Sequence, residues 1–595
     1  MRFCLTVAFS LTAGTALAQQ TADAVQPESA TEGAGVVLSE QAAASQVAKE
    51  AGTPVSAATY MVSAANPLAV QAGVDVLAEG GTAADALVAV QTVLGLVEPQ
   101  SSGLGGGAFL VWYDAEAGEL TTLDARETAP LAVTPQLFLT DDGEPMGFFD
   151  AVVGGRSVGT PGTPALLQMV HDKWGNQPWA GLFDAAIDHA EGGFVVSPRL
   201  AGLVEGDAER LTAASDVTAA YFYPEGVAVK AGDVLQNEAY AKTLRAMAAS
   251  GADAFYTGQI ADDIVATVKG HASNPGVLST LDLSIYQVKE RAPVCASYRA
   301  HEVCGMGPPS SGALTVGQIL GMLDAYDLAA LGAENPESWR LIGDASRLAF
   351  ADRGRFMADS DYVPMPTAGL VDPDYLAARA VLLGGDRALG ETPAGNPGFD
   401  HASNWADDES IELPSTSHIS IVDSFGNVAS MTTTIENAFG SRLMVHGFLL
   451  NNELTDFSFR THAEGVPIAN AIAPGKRPRS SMSPTIVMKD DAPVLAIGSP
   501  GGSRIIGYTA KAIIAHLDWG MDVQQAIDLP HAVNRFGTYD FEEGTSAADL
   551  APALEAMGFE VNVRELNSGL HAIAIGADGL VGGADPRREG IALGD

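Results

Sequence analysis

The chain has 595 residues, 47% of them hydrophobic, and carries 73 acidic against 32 basic side chains, a formal net charge of −41. That balance excludes nucleic acid as a partner, because phosphate binding needs a basic footprint, and an anionic membrane surface would repel the chain as well. The 11 histidines are scattered, with no H-E-x-x-H pattern and no Cys/His cluster of zinc spacing, so neither a metal nor a cofactor is expected.

At the N-terminus, Arg2, an apolar run and the Ala16-Leu17-Ala18 site read as a secretory signal over residues 1–18, which predicts an exported, periplasmic or secreted product. Cys4 falls inside that segment and is expected to be lost with it. No later stretch has the roughly 18 uninterrupted apolar residues of a membrane span. Residues 19–55, rich in Ala, Gln, Glu and Ser, read as a mobile N-terminal arm. A strand at about 60–65 is followed by a helix with Asn66 as cap and Pro67 in its first turn, a Gly80-Gly81 break and a second helix over about 82–96.

GLGGGA at 103–108 fits the dinucleotide pattern G-x-G-x-x-A, but a helix precedes it and a strand follows, the reverse of the order that pattern needs. It reads instead as a turn whose glycines let backbones approach closely. Further helical patterns fall at 163–174, 178–191, 234–249, 312–331, 337–357 and 373–384, and after residue 416 the chain becomes strand-rich with helices near 505–517 and 546–557. CASYRAHEVC at 295–304 holds two β-like runs around a turn at Arg299-Ala300. With a two-residue turn, Cys295 and Cys304 face each other at about 4.5 Å between Cα atoms, within disulfide reach, and an exported protein favours oxidation over two reduced thiols.

Residues 391–415 are rich in Pro, Gly, Asn and acidic side chains and read as an exposed loop. The pattern then changes abruptly. Residues 418–422 alternate polar and apolar, DSFGN at 423–427 is turn chemistry, and 428–435 is rich in β-branched residues, so a β-hairpin is entered directly from the loop at Thr416. An intact chain gives Thr416 no base and leaves it an ordinary strand-entry residue. Cleavage between Ser415 and Thr416 would free an α-amine of pKa roughly 7.7 to 8.0 on the residue that carries the hydroxyl, making one residue both nucleophile and base. His418 falls on the same strand face as Thr416 and reads as structural or as pocket wall.

TTTIENAFGS at 432–441, FLLNNELTDFS at 448–458, KRPRSSMSPTIV at 476–487 and GSPGGSRII at 498–506 resemble the γ-glutamyltransferases, also called glutathione hydrolases. SGLGGGAF at 102–109, DARETAP at 124–130, GTPGTPA at 159–165 and PPSSGA at 308–313 extend the resemblance upstream, in family order.

The resemblance implies an α/β fold of the N-terminal-nucleophile hydrolase kind, a four-layer αββα sandwich. It is expected to form from a large subunit, 56–415, and a small one, 416–595, of one self-cleaving precursor. It implies Thr416 as nucleophile, Thr434 as its support, and Gly501 and Gly502 as donors to the oxyanion. Arg126, Ser480 and Ser481 would bind the donor's α-carboxylate, and Glu453 and Asp456 its α-ammonium. Glu436 stands where some relatives carry Asn, so either it adds a carboxylate or Asn437 takes that role. The loop between Asp456 and Lys476 looks shorter than the lid of well-known bacterial members, so the resemblance does not extend to a covered site. Glutathione and other γ-glutamyl donors, with water, amino acids or dipeptides as acceptors, are the implied partners. A glutaryl-amide acylase of the same architecture, or an uncleaved γ-glutamyl peptide-binding protein, are the alternatives.

Overall fold

The computed structural model describes residues 38–401, 404–408 and 410–595; the expected signal and most of the expected arm lie outside them. Fourteen strands build the centre of the molecule. They are β1 (Val55–Ala57), β2 (Met61–Ala64), β3 (Gly107–Asp114), β4 (Glu119–Ala125), β5 (Lys289–Arg291), β6 (Val294–Tyr298), β7 (His301–Gly305), β8 (Ser417–Val422), β9 (Val428–Thr434), β10 (Thr485–Lys489), β11 (Ala492–Gly498), β12 (His571–Gly576), β13 (Gly579–Ala584) and β14 (Ile591–Gly594). One antiparallel sheet runs β1-β13-β12-β11-β10-β7-β6 and the other β14-β2-β8-β9-β3-β4-β5, so each mixes strands from both sides of Thr416.

The two sheets face each other, β8 and β9 against β11 and β12. Helices α1 (Glu40–Glu50), α2 (Pro67–Ala78) and α3 (Ala83–Val97) lie on the β8 sheet's side, and α4 (Gly312–Leu323), α5 (Pro336–Phe356), α6 (Ile505–Leu517) and α7 (Val523–Asp528) on the other. Local chemistry explains the first of these: Asn66 caps α2 ahead of Pro67, and Thr82 and Asp85 form a reciprocal capping box on α3. Every residue of α3 is buried, so it is packed on all sides rather than amphipathic.

The alternation in β8 has a meaning that pattern alone does not supply, because all of β8 and β9 is buried. Ile419 and Ile421 join the helix-facing core, while His418 and Ser420 point between the sheets. There His418 bonds Thr432 at 2.9 Å and Ser420 at 3.1 Å, and burial with His571 nearby holds its pKa well below the usual imidazole value. His418 is therefore a neutral structural residue. Ser63 bridges the same layer to Gly583 O at 2.8 Å, and Ser430 to Ile497 O at 3.2 Å.

Several expectations are corrected. Residues 40–55 are no mobile arm: Ser39 caps α1, and Lys49 is buried with its ammonium on Arg588 O at 2.9 Å and Gly590 O at 2.7 Å. Those partners lie more than 500 residues away, beyond the reach of local composition. The exposed loop before Thr416 becomes buried over Glu412–Ser415, because the Glu412 carboxylate is paired inside. The helix expected over 312–331 stops at Leu323, and Asp327 caps a separate turn, Leu328–Leu331. Helices Pro198–Gly206, Ala208–Ala214, Asp216–Phe222 and Gly258–Gly270 were not foreseen. The hairpin of β6 and β7 is as expected, with Cys295 opposite Cys304, their Cα atoms 4.0 Å apart and a disulfide between them. No helix among the described residues is long and apolar enough to cross a membrane.

The glycine turn at 103–108 precedes β3 as expected and presses on the end of β9. A Cβ on Gly106 would lie 2.0 Å from the backbone carbonyl oxygen of Thr434. Gly106→Ala is expected to cost about 3 kcal/mol, read as a lower urea midpoint of unfolding.

Candidate active site

In the β8–β9 ladder Ser417 pairs with Thr433, so Thr416 and Thr434, one step further along, come face to face. Their hydroxyls are 3.0 Å apart, and the Thr434 oxygen also accepts from Glu436 N–H at 2.8 Å. The Ser415 carbonyl, one bond before Thr416, accepts from Gly501 N–H at 3.3 Å. Ser415 Oγ donates to Gln100 O at 3.1 Å and Arg588 donates to Thr416 O at 3.1 Å, so the junction is fixed on both sides. Thr416 sits at φ +95°, rare for a β-branched residue, and Glu436, Phe439 and Arg442 are also left-handed.

A pocket opens at this junction, lined among others by Arg126, Thr416, Thr434, Glu436, Glu453, Asp456, Ser480, Ser481 and Gly502. Thus all the predicted substrate-contact residues converge on it. Of the glycine pair, Gly502 lines the pocket while Gly501 meets the Ser415 carbonyl. Glu436 rather than Asn437 faces the space, and Asn437 N–H instead donates to Asn452 at 3.0 Å. No residue of the loop between Asp456 and Lys476, which carries a small hairpin of His462–Ala463 and Val466–Pro467, lines the pocket. Sequence reasoning missed Glu412, Leu413, Met482 and Ile505 in the lining. The first two lie just ahead of Thr416, and nothing in their polar neighbourhood marks them as interior.

Arg126, just past β4, is the pocket's central cation. It donates to Glu453, Asp456, Pro478 O and Arg479 O, the last at 2.8 Å. Burial presses against its charge, but Glu453 and Asp456 more than compensate and raise its pKa. Burial likewise pushes Glu436, Glu453 and Asp456 well above the usual carboxylate range, with mutual repulsion adding to it and Arg126 opposing it. Burial raises Glu127 to about 8, and it lies against the Glu453 carboxyl. The cluster holds more carboxyl groups than Arg126 can neutralise. Among the described residues no group of three or more His, Cys, Asp or Glu is arranged to hold a metal ion.

The gamma-glutamyltranspeptidase family profile matches residues 69–595. The chain belongs to the gamma-glutamyltranspeptidase family. It is 37% identical over 549 residues to a glutathione hydrolase proenzyme of Bacillus subtilis (strain 168), covering 90% of this chain and 91% of that one. A glutathione hydrolase proenzyme of Escherichia coli (strain K12) is 35% identical over 547 residues, with 90% and 91% covered. Among solved structures, a cephalosporin acylase from Bacillus halodurans superposes with a TM-score of 0.79 at 26% identity, covering 91% of this chain and 97% of that chain. The mixed α/β architecture of facing sheets is therefore that of gamma-glutamyltranspeptidases and related acylases.

The raised Glu127 makes stability depend on pH. The folded state keeps a proton that an unfolded carboxyl releases near 4.5, so this contribution is full below that value and lost as pH rises through about 8. Buried Glu98, also raised to about 8, adds to the same slope, so in an uncleaved Thr416→Ala chain Tm is expected to fall between these values and adding Glu127→Gln to lessen that fall, as read by calorimetry across pH.

Proposed function

We propose that the chain is a self-processing γ-glutamyltransferase and glutathione hydrolase, which matures by cutting itself between Ser415 and Thr416. The arrangement at Thr416 carries this reading: its hydroxyl lies on Thr434, and the preceding carbonyl already accepts a backbone N–H from Gly501. In the first step Thr416 Oγ adds to the Ser415 carbonyl carbon, the carbonyl oxygen becomes an oxyanion held by Gly501 N–H, and the hydroxyl proton passes to the Thr416 nitrogen as the C–N bond breaks, leaving an ester and a free Thr416 amine. Water then hydrolyses the ester. This releases the Ser415 carboxylate and restores the hydroxyl, giving a large and a small subunit that remain one heterodimer through their shared sheets.

In the mature enzyme the Thr416 amine takes the proton from its own hydroxyl, directly or through one water, and the oxygen attacks the donor's γ-amide carbon. The amine partner, cysteinylglycine for glutathione, leaves with a proton. The γ-glutamyl ester on Thr416 then passes to water or to the amine of an amino acid or dipeptide. Gly501 and Gly502 offer N–H groups to the oxyanion in both acyl transfers.

Arg126, Ser480 and Ser481 hold the donor's α-carboxylate, while Glu436, Glu453 and Asp456 take its α-ammonium. The surplus of carboxyl groups around Arg126 supports the second assignment, since a bound cation relieves their repulsion. That surplus also weighs against a glutaryl donor, which the likeness to a cephalosporin acylase would otherwise favour, because such a donor has no ammonium. An expected export to the periplasm or medium fits the same reading.

Thr416→Ala is expected to remain one chain without measurable turnover, whereas the native protein gives two fragments, the smaller beginning Thr-Ser-His-Ile; intact mass with N-terminal sequencing decides. Asp456→Asn is expected to raise KM for γ-glutamyl p-nitroanilide about tenfold through loss of a charged contact. Native enzyme should prefer that donor to its glutaryl counterpart in parallel assays, and the opposite preference would favour the acylase reading.

A further inference from the structure

Arg588 reaches Thr416 from a side the substrate pocket does not share. Its Nη1 donates to Thr416 O at 3.1 Å and its Nε to Asn567 Oδ1 at 3.4 Å, while Gly569 walls the side chain in, since a Cβ there would lie 2.8 Å from Arg588 Cδ. The carbonyl of Arg588 accepts from the buried Lys49 ammonium at 2.9 Å, which ties it to α1. Thr416 O belongs to the peptide that leads into β8, so a cut between Ser415 and Thr416 leaves both partners of this contact in the small subunit. The amine that such a cut frees is on the same residue, with only Cα and the carbonyl carbon between nitrogen and oxygen. The guanidinium thus stands within roughly 6 Å of that nitrogen, a range over which one charge moves another group's pKa by about a unit or more.

The surroundings of Arg588 do not cancel its charge. Glu98, just past α3, feels both Arg588 and Arg199, the latter at 3.5 Å, and its carboxyl is hydrogen-bonded to that of Glu589. Two carboxyls bond each other only through a proton, and burial raises Glu98 to about 8, so the pair sets one negative charge against two guanidiniums. Glu589 also accepts the backbone N–H of Arg199 at 3.1 Å. Around the rest of Arg588, Lys49 adds positive charge, Asp585 is matched by Arg587, and buried His571 is held neutral with its pKa at about 3. On the pocket side Arg126 faces Glu436, Glu453 and Asp456, whose pKa values burial raises, and Glu412 is paired with Arg353. The field on the Arg588 side of the Thr416 nitrogen is therefore positive. A positive neighbour disfavours protonation of an amine whose ordinary pKa is roughly 7.7 to 8.0, leaving more of it as free base at neutral pH.

We propose that Arg588 is a positioning residue for the nucleophile: it holds Thr416 by its carbonyl and, through its charge, keeps the freed amine unprotonated and ready to take the hydroxyl proton. The proposal rests on the self-processing γ-glutamyl reading above and leaves the assignment of the donor's contacts as it stands.

The test is the pH dependence of kcat/KM for γ-glutamyl p-nitroanilide on processed enzyme, whose acid limb reports the base of the free enzyme. Arg588→Gln is expected to move that limb up by about one pH unit, so that kcat/KM falls about tenfold near pH 6 and less than about twofold near pH 8.5. Arg588→Lys, which keeps the charge, should bring the limb back. Asn567→Asp leaves Arg588 in place and sets an anion beside it, so the limb should rise by about half a unit; this variant carries the test if Arg588→Gln is not processed. A loss equal at every pH with the limb unmoved would overturn the proposal, and so would a shift that Arg588→Lys fails to reverse. A native chain that stays uncut would instead bring down the functional reading, a failure that intact mass reveals before any variant is made.

Discussion

A one-residue slip between β8 and β9 would turn every side chain of the hairpin to the opposite face. The observed register, Ser417 opposite Thr433, is what brings Thr416 against Thr434, and the rest of the molecule can be understood as fixing it. The turn of residues 423–427 is closed by Asp423, which accepts from Phe425 and Asn427 N–H at 2.9 Å each and from Ala83 N–H at 2.8 Å at the start of α3. At the far end Gly106 admits the Thr434 carbonyl at a distance no side chain would tolerate. Between these two ends, the Ser420 and Ser430 hydroxyls reach the His571 and Ile497 carbonyls of the facing sheet, and His418 ties β8 to β9 through Thr432. A layer of directional hydrogen bonds specifies register more sharply than apolar contact, which has no direction.

Charge is handled differently in the pocket. Asp585, elsewhere in the interior, is matched: it meets Arg587 and Ser568, and burial notwithstanding its pKa is lowered. Around Arg126 the count is unbalanced, and carboxyl groups without enough cations take up protons instead. An imbalance that a positively charged guest would relieve differs from an ordinary buried ion pair, which is complete in itself. The overall acidity of the chain does not explain it, since solvated surface acids have little bearing on a cluster buried in a pocket.

Local pattern made the helices over 67–78, 83–97, 163–174 and 505–517 legible, because capping residues and periodicity act within a few residues. The hairpin at Thr416 and that of Cys295 and Cys304 were legible for the same reason. Family motifs brought Arg126, Glu453, Asp456, Ser480 and Ser481 to one site that no spacing could have assembled. What stayed hidden depends on partners far along the chain. Lys49 looks like a solvated charge until the carbonyls of Arg588 and Gly590 are seen beside it, and Glu412 like one more loop acid until Arg353 is. Both are buried charges whose compensation lies on another element.

The left-handed torsion of Thr416 is measured from the carbonyl carbon of Ser415, and so exists only while the two residues are joined. Holding a non-glycine residue there costs on the order of 1–3 kcal/mol. Cleavage at that bond would abolish the torsion along with its cost. Religation would then have to restore that contortion as well as recapture a freed chain end, so a cut made there would act as a ratchet: the joined chain carries a tension that a cut one has no means of regaining.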